Sequence, residues 1–159
     1  MKNEWVDSVD AEIIELLQRD GRRTQQDIAQ RVKLSQPAVA DRIKKLEERN
    51  IITGYAARVD PLTLGQDITA FVGVAISHPK HFDAFAKRIA ALDEILEAHR
   101  VAGRSSYLLK IRTTNTATLD ALLIGILRTI PGVTRTETTV VLASIKEETF
   151  VPVPRGEKS

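Results

Sequence analysis

The sequence of 159 residues contains no cysteine, and only 4% of its residues are aromatic. The absence of cysteine excludes disulfide bonds, thiolate zinc sites and cysteine nucleophiles, and it suits a cytoplasmic protein. No stretch reaches the roughly 18 consecutive apolar residues that a membrane helix needs. The polar first ten residues, MKNEWVDSVD, have no apolar run of a secretory signal behind them. We therefore expect a soluble protein with an aliphatic core and no membrane partner.

The sequence also lacks the patterns of several kinds of active site. It has no P-loop and no GxGxxG pattern, so nucleotide binding has no support. His78 and His81 have the spacing of metal ligands, but only Asp83 lies near them, which favours solvated histidines over a zinc site. Ser105 and Ser106 could suggest a nucleophile loop, yet no base has a defined relation to them. We expect no catalytic residue, no metal and no cofactor.

The net charge is only +2, but the basic residues are clustered. Between positions 19 and 45, eight arginines and lysines stand against three aspartates, which gives this segment a charge of +5. A clustered positive charge is typical of nucleic-acid binding. For the cluster taken alone, a solvated helical surface is the simpler interpretation.

Three amphipathic segments in the first fifty residues predict three helices. The first covers residues 8–20, and we expect Gly21 to end it in the left-handed conformation. Thr24 is the predicted N-cap of the second helix and Ser35 that of the third. Pro37 falls in the first turn of the third helix, where backbone N–H groups have no intrahelical partner. The β-branched stretch IITGYAARVD that follows predicts a short strand or a hairpin wing.

Helix, turn, capped helix and wing together match a winged helix-turn-helix domain. In that motif the helix after the turn lies in the major groove of DNA, with its first residues nearest the base edges. The candidate base-reading residues are therefore Ser35, Gln36, Pro37 and Asp41. The candidate phosphate ligands are the N–H groups behind Thr24 and the side chains of Arg22, Arg23, Arg42, Lys44 and Lys45. The alternative is a three-helix bundle that binds protein.

The second half predicts the order β-α-β-β-α-β over residues 68–146. Two similar βαβ halves indicate a ferredoxin-like α+β sandwich. The first strand, residues 68–77, is apolar or small on both faces, whereas two helices cover only one face of a four-stranded sheet. We therefore predict a homodimer through the other face, with an apolar solvent face as the rival explanation. The predicted domains are residues 1–60 and 67–150, with a linker at 61–66 and a tail at 151–159.

An ordered series of landmarks resembles the Lrp/AsnC family of bacterial and archaeal transcriptional regulators, over roughly residues 7–150. The landmarks are Asp10, Gly21, Arg22, Ala29, Leu34-Ser35, Arg42, Leu46, Ile52, Gly54-Tyr55, Gly65, Gly103, Tyr107 and Pro131-Gly132-Val133. The resemblance implies a regulator and not an enzyme. Its implied partners are double-stranded DNA, further copies of itself in dimers that often assemble to octamers, and an amino acid or related metabolite bound between effector domains.

The resemblance also implies an effector loop, which consists of Gly103, Arg104, Ser105, Ser106 and Tyr107. The family usually has an aspartate at the position of Ser106. Its loss beside Arg104 favours a ligand other than a standard amino acid, such as one with more negative charge, or no ligand. The alternative class of protein is a metabolite-binding or enzyme domain of ferredoxin-like fold with a helical protein-interaction arm.

Two further departures from the family pattern concern the backbone. Lys33 and Asn50 stand where the family usually has glycine. Asparagine tolerates a positive φ well, whereas a left-handed lysine costs about 1 kcal/mol.

Overall fold

The structure, a computed structural model, describes residues 6–154. The chain folds into two compact units, of which the second covers Val59–Ile145. The first contains the chain up to Arg58 and also the segment that begins at Lys146. Residues 146–154 therefore return to the unit that also contains residues 6–58. Among the described residues, no helix has both the length and the apolar character needed to cross a bilayer.

The first unit is built from three short helices around an aliphatic core. Within its described residues the helices are α1 (Ser8–Arg19), α2 (Gln25–Val32) and α3 (Gln36–Glu48). The hydroxyl of Thr24 accepts the N–H of Asp27 at 3.1 Å, and that of Ser35 accepts the N–H of Ala38 at 3.3 Å, so both predicted N-caps are confirmed. The core residues include Ile13, Ile28, Val39, Ile43 and Leu46.

The end of α1 differs from the prediction, whereas left-handed residues occur after α2 and α3. Gly21 is not left-handed, because α1 already ends at Arg19 and the extended Asp20 follows, with φ −149°. Apart from glycines, the described residues with a left-handed backbone are Lys33, with φ 57°, and Asn50, with φ 55°. Both stand at positions where the family pattern usually has glycine.

The predicted strand or hairpin wing does not form, since residues 51–60 contain no strand. A β-strand needs a neighbouring strand to take up its N–H and C=O groups, and no described segment pairs with this one. Tyr55 instead donates its hydroxyl proton to Glu47 Oε1 at 2.8 Å, at the end of α3. Partial burial and this hydrogen bond raise the pKa of Tyr55 to about 12.

The second unit is the predicted ferredoxin-like sandwich. Its described elements are β1 (Ile68–Ile76), α4 (Phe82–Ala90), β2 (Ile95–Arg100), β3 (Tyr107–Thr113), α5 (Thr116–Gly125) and β4 (Val133–Val140). The strands form one antiparallel sheet in the order β2-β3-β1-β4. The last strand ends at Val140, six residues before the predicted end, and the chain then runs on without regular structure.

The core of the second unit lies between the two helices and one face of the sheet. Val72 and Val74 of β1, Leu109 of β3 and Phe85 of α4 are fully buried there. The period of two in β1 places Phe71 on the opposite face, where 38% of its surface is exposed. The helices thus cover one face of the sheet, as predicted.

The connection from α5 to β4 contains a short 3-10 helix, Leu127–Thr129, and ends in a turn at Gly132. Gly132 has φ 92°, and a Cβ there would lie only 2.5 Å from Cγ of His81. Glycine is required at this position both by the backbone and by the close approach of the ring. By contrast, a Cβ at Gly125 would have nothing within 4 Å.

The returning segment, residues 146–154, packs on α1. The side-chain amide of Gln18 donates to the carbonyl of Val151 at 2.9 Å and accepts its N–H at 2.7 Å. The guanidinium of Arg19 lies 5.2 Å from the ring centre of Phe150, within cation–π range. Val153 packs against the aliphatic core of the first unit. The predicted tail is therefore partly a component of this core.

Candidate nucleic-acid interface

The first turn of α3 is held by its cap and remains accessible. The hydroxyl of Ser35 is occupied by the N–H of Ala38, so its side chain serves the helix start. Gln36 and Pro37 are exposed and make no recorded side-chain hydrogen bond within the described residues. A glutamine in this position can donate and accept at an adenine edge, and a proline ring can contact a thymine methyl group.

The predicted acidic base reader is paired with a lysine on its own helix. Asp41 accepts a hydrogen bond from Lys45 Nζ at 2.6 Å, one turn further along α3. This hydrogen bond is the main reason why the pKa of Asp41 lies below its ordinary value of 3.8. Both side chains are more than half exposed, so the pair is a weak one that a DNA contact can replace.

The predicted phosphate ligands divide into exposed and engaged side chains. Arg22 is exposed, and Lys44 is 74% exposed with a long 3.7 Å contact to Glu48. Arg23 is half-buried beside Thr24, whose hydroxyl caps α2. The exposed cations can turn towards a phosphate at little cost, because surface ion pairs contribute little.

Arg42 differs from the other predicted phosphate ligands. Its Nη1 atom lies 2.7 Å from Asp7 Oδ2 and 2.7 Å from Asp10 Oδ1, and its side chain is only 32% exposed. The same Asp7 caps α1 by accepting the N–H of Asp10 at 2.7 Å. The N-cap residue of α1 and a residue of its first turn thus engage one nitrogen of the side chain that the sequence assigned to a DNA phosphate.

The ion pairs around Arg42 also shift the pKa values of their members. Partial burial raises the pKa of Asp7, but hydrogen bonds from the N–H of Asp10 and from Arg42 outweigh it and hold that pKa below 3.8. The hydrogen bonds to Asp7 and then Asp10 raise the pKa of Arg42. Sequence analysis missed this arrangement, although Asp10 and Arg42 are both among the family landmarks.

The predicted effector loop lies in the second unit, between β2 and β3. The ring of Tyr107 is buried against Phe82 and Phe85, at centroid distances of 5.6 and 4.8 Å, so it belongs to the core. Ser106 Oγ accepts the N–H of Ile76 at 3.1 Å, and its own N–H donates to Val74 at 2.8 Å. These two residues therefore secure the loop to β1.

The remaining loop residues are the accessible ones. Gly103 and Arg104 are exposed, and Ser105 is half-buried over Gly73, where a Cβ would lie 2.6 Å from the Ser105 hydroxyl. The guanidinium of Arg135 donates to the carbonyl of Arg104 at 3.3 Å. The structure thus brings together two arginines at this loop, while no group of three or more possible metal ligands occurs among residues 6–154.

The open face of the sheet carries partly exposed apolar side chains and an ion pair. Phe71 and Leu108 are 38% and 39% exposed, and the small Gly73 lies directly opposite Leu108 in the register of β1 and β3. Lys110 stands directly opposite Phe71 in the same register, its side chain is only 13% exposed, and its Nζ lies 3.3 Å from Glu97 Oε1. The pKa of Glu97 lies below 4.5 mainly because of its hydrogen bond with His99, and to a smaller extent because of the hydrogen bond from Lys110.

Comparisons with known proteins place both units in described families. A family model described as a winged helix-turn-helix DNA-binding domain matches residues 6–53. A model described as the Lrp/AsnC ligand binding domain matches residues 69–151. The leucine-responsive regulatory protein of Haemophilus influenzae is 35% identical over 152 residues, which cover 94% of this chain and 92% of that protein. The HTH-type transcriptional regulator LrpA of Mycobacterium tuberculosis is 36% identical, with coverage of 88% and 92%.

Solved structures give the same result. A transcriptional regulator of Neisseria meningitidis, crystallised with L-Met, superposes with a TM-score of 0.89 at 29% identity, covering 92% of this chain and 96% of that one. The feast or famine regulatory protein of M. tuberculosis, complexed with L-methionine, has a TM-score of 0.85 at 33% identity, with coverage of 92% and 99%. The match extends over both units of the chain.

Proposed function

This chain belongs to the Lrp/AsnC family of transcriptional regulators, and from that premise we propose how it recognises DNA, associates and responds to a ligand. Its relatives are helix-turn-helix regulators of transcription, so the chain is a DNA-binding regulator and not an enzyme. We propose that the first turn of α3 reads bases in the major groove of duplex DNA. We also propose that the chain acts as a homodimer under the control of a small-molecule effector.

The observation that carries the DNA proposal is the exposed, capped start of α3. Gln36 and Pro37 project from a turn that Ser35 holds in place, and the exposed cations Arg22 and Lys44 lie in the same unit. A helix fixed at its N-terminus presents base-reading groups in a defined geometry, while the cations supply the affinity that does not depend on sequence.

Selection from randomised duplex DNA, followed by binding at several salt concentrations, tests this proposal. The logarithm of the affinity should fall linearly with the logarithm of the salt concentration, since each neutralised phosphate releases counterions. Gln36→Ala should relax the base preference at one position of the site by about 1–3 kcal/mol. Gln30→Ala, which changes an exposed glutamine of α2, is the control and should leave the selected sequence unaltered. An unchanged base preference in Gln36→Ala would refute the assignment of this residue.

We propose that the open face of the sheet joins two copies of the chain. Phe71 and Leu108 leave large apolar side chains partly exposed on this face, as expected at the centre of a protein–protein interface. Phe71→Glu should shift the protein from dimer to monomer in sedimentation velocity, because it places a charge in the centre of the buried patch. Ile124→Glu is the matched control, since Ile124 is 48% exposed on the helical side. A monomeric wild type, or a dimer unaffected by Phe71→Glu, would exclude this interface.

A two-fold protein should prefer a two-fold DNA site. We expect the selected sequences to be palindromic, with half-sites about one helical turn or a multiple of it apart. Assembly of dimers to an octamer is a further expectation from the family, and the same sedimentation experiment measures it. Selected sequences without a dyad would contradict a symmetric dimer on DNA.

We propose an amino acid or related metabolite as the effector, bound near Gly103, Arg104 and Ser105. Two similar regulators were solved with L-methionine, and the arginines at this loop favour a ligand with negative charge. A thermal-shift screen of amino acids and their acidic derivatives tests this, because a specific ligand stabilises the folded protein by mass action. Responses restricted to standard neutral amino acids would refute the expectation that Ser106 changes the ligand.

A further inference from the structure

Arg42 makes a directional contact between the recognition helix α3 and the start of α1. The side chains that α3 buries, Val39, Ile43 and Leu46, are aliphatic and make non-directional contacts. Arg42 is different, since its Nη1 lies 2.7 Å from an oxygen of Asp7 and 2.7 Å from an oxygen of Asp10. Charge-assisted hydrogen bonds are short and geometrically specific. Of the contacts described between these helices, this one is suited to fix the rotation of α3 about its own axis.

Small rotations of α3 have large consequences at a base edge. Side-chain ends lie roughly 5–6 Å from a helix axis, so a rotation of about 10° moves them by about 1 Å. The useful range of a hydrogen-bond distance is only about 0.5 Å. Gln36 would therefore lose its alignment with a base before the aliphatic core of the unit was noticeably disturbed.

The carboxylates depend on Arg42 as much as α3 does. The side chain of Asp10 is only 15% exposed, and Asp7 uses its other oxygen to cap α1. Without the guanidinium, two carboxylates would face each other across a partly buried site, which disfavours this packing of α3 on α1. The contact is thus reciprocal, and its loss is expected to move the helix and not merely to leave a gap.

We propose that Arg42 is a positioning residue, which sets the orientation of the recognition helix through Asp7 and Asp10 and does not bind phosphate. The inference rests on the proposed reading of DNA by α3 and adds a specificity role for two acidic residues. Acidic side chains near DNA ordinarily weaken binding by repulsion. Here their removal should instead reduce discrimination between sequences.

The experiment compares the selected duplex with a scrambled duplex of the same length, for the full-length protein. Arg42→Ala should lower the ratio of specific to non-specific affinity by roughly three- to tenfold, the range for a charge-assisted contact between partly exposed groups. Its salt slope should stay that of the wild type. A lost phosphate contact would instead reduce the slope by about 0.9 and weaken both duplexes alike.

The acidic partners give the sharper test. If they position α3, their removal should weaken specific binding, whereas if they only repel DNA, their removal should strengthen binding. Asp10→Asn and Asp7→Asn should each lower the specificity ratio, and the loss in Asp10→Asn combined with Arg42→Ala should be less than the sum of the single losses. Asparagine is a good N-cap, so Asp7→Asn keeps the start of α1. Glu12→Gln removes the same charge from an exposed site of α1 and should leave the ratio unchanged.

Circular dichroism and the active fraction of each variant separate an effect on folding from an effect on specificity. Circular dichroism before binding establishes that each variant is folded, and a merely structural role would lower the active fraction without changing the specificity ratio. A wild-type ratio in Asp10→Asn, or a reduced salt slope in Arg42→Ala, would overturn the inference while leaving DNA binding by the wild type intact. Failure of the wild type to bind duplex DNA would instead refute the proposed function itself.

Discussion

Replacing Lys33 by glycine should stabilise the helix-turn-helix unit, although lysine is the larger residue. Lys33 is the C-cap of α2 with φ 57° and ψ 44°, and the next N–H, that of Leu34, donates to Ala29 O at 3.0 Å. This is the left-handed helix end for which glycine is the usual residue. The side chain of Lys33 is exposed and makes no recorded ion pair within residues 6–154, so glycine removes little contact.

The size of the effect follows from two opposing terms. A left-handed backbone costs an L-residue about 1–2 kcal/mol. The greater freedom of glycine in the unfolded chain returns roughly 0.4–1 kcal/mol of this. The net gain for Lys33→Gly is therefore about 0.5–1 kcal/mol. Asn50, at φ 55°, should gain less from the same change because asparagine tolerates this conformation.

Hydrogen–deuterium exchange of peptides from α2 and α3 measures this gain in the first unit alone. The slowest amides should exchange roughly two- to fivefold more slowly in Lys33→Gly, as a gain of this size in opening free energy requires. Lys33→Ala is the control, because it removes the charge and keeps the Cβ atom that causes the strain. Equal protection in the glycine and alanine variants would refute the claim that the backbone of Lys33 is strained.

Three more expectations follow from contacts in the two units. Gly132→Ala should destabilise the second unit by about 1–3 kcal/mol through a left-handed backbone and a clash, whereas Gly125→Ala should stabilise it by up to about 1 kcal/mol, as urea unfolding can determine. Gln18→Ala should speed exchange in α1 by losing both hydrogen bonds to Val151, at a cost of about 0.5–1 kcal/mol for exposed groups. Because the pKa of folded Asp7 lies below 3.8, its stabilisation is present above that value and is lost as the pH falls further; Asp7→Asn should flatten the dependence of stability on pH below about 4.

Local sequence signals predicted the elements whose causes are local. The caps at Thr24 and Ser35 are side-chain contacts over three residues, so the positions of α2 and α3 could be read from the chain. The alternation in β1 likewise predicted which residues share a face of the sheet, because a strand reverses its side chains at each residue. The left-handed Lys33 was expected from a family position, and the backbone agrees with it.

The sequence did not predict the contacts between segments that are distant in the chain. Arg42 and Asp7 are 35 residues apart, and a basic residue on a helix carries no sign of whether a phosphate or a carboxylate will meet it. The wing was predicted from β-branched residues around Gly54, but a strand also needs a partner, which composition does not specify. Gln18 and Val151 are 133 residues apart, and neither has a distinctive local pattern.

The contact of Gln18 with Val151 shows that the first unit consists of two segments of the chain. A helix-turn-helix of fewer than sixty residues has a small core and is only marginally stable by itself. Here the returning segment adds Val153 to the aliphatic cluster, and Glu148 lies 3.2 Å from the guanidinium of Arg58. The chain leaves the first unit after Arg58 and re-enters it at Lys146, so the second unit is an insertion in the first and not an appendage to it.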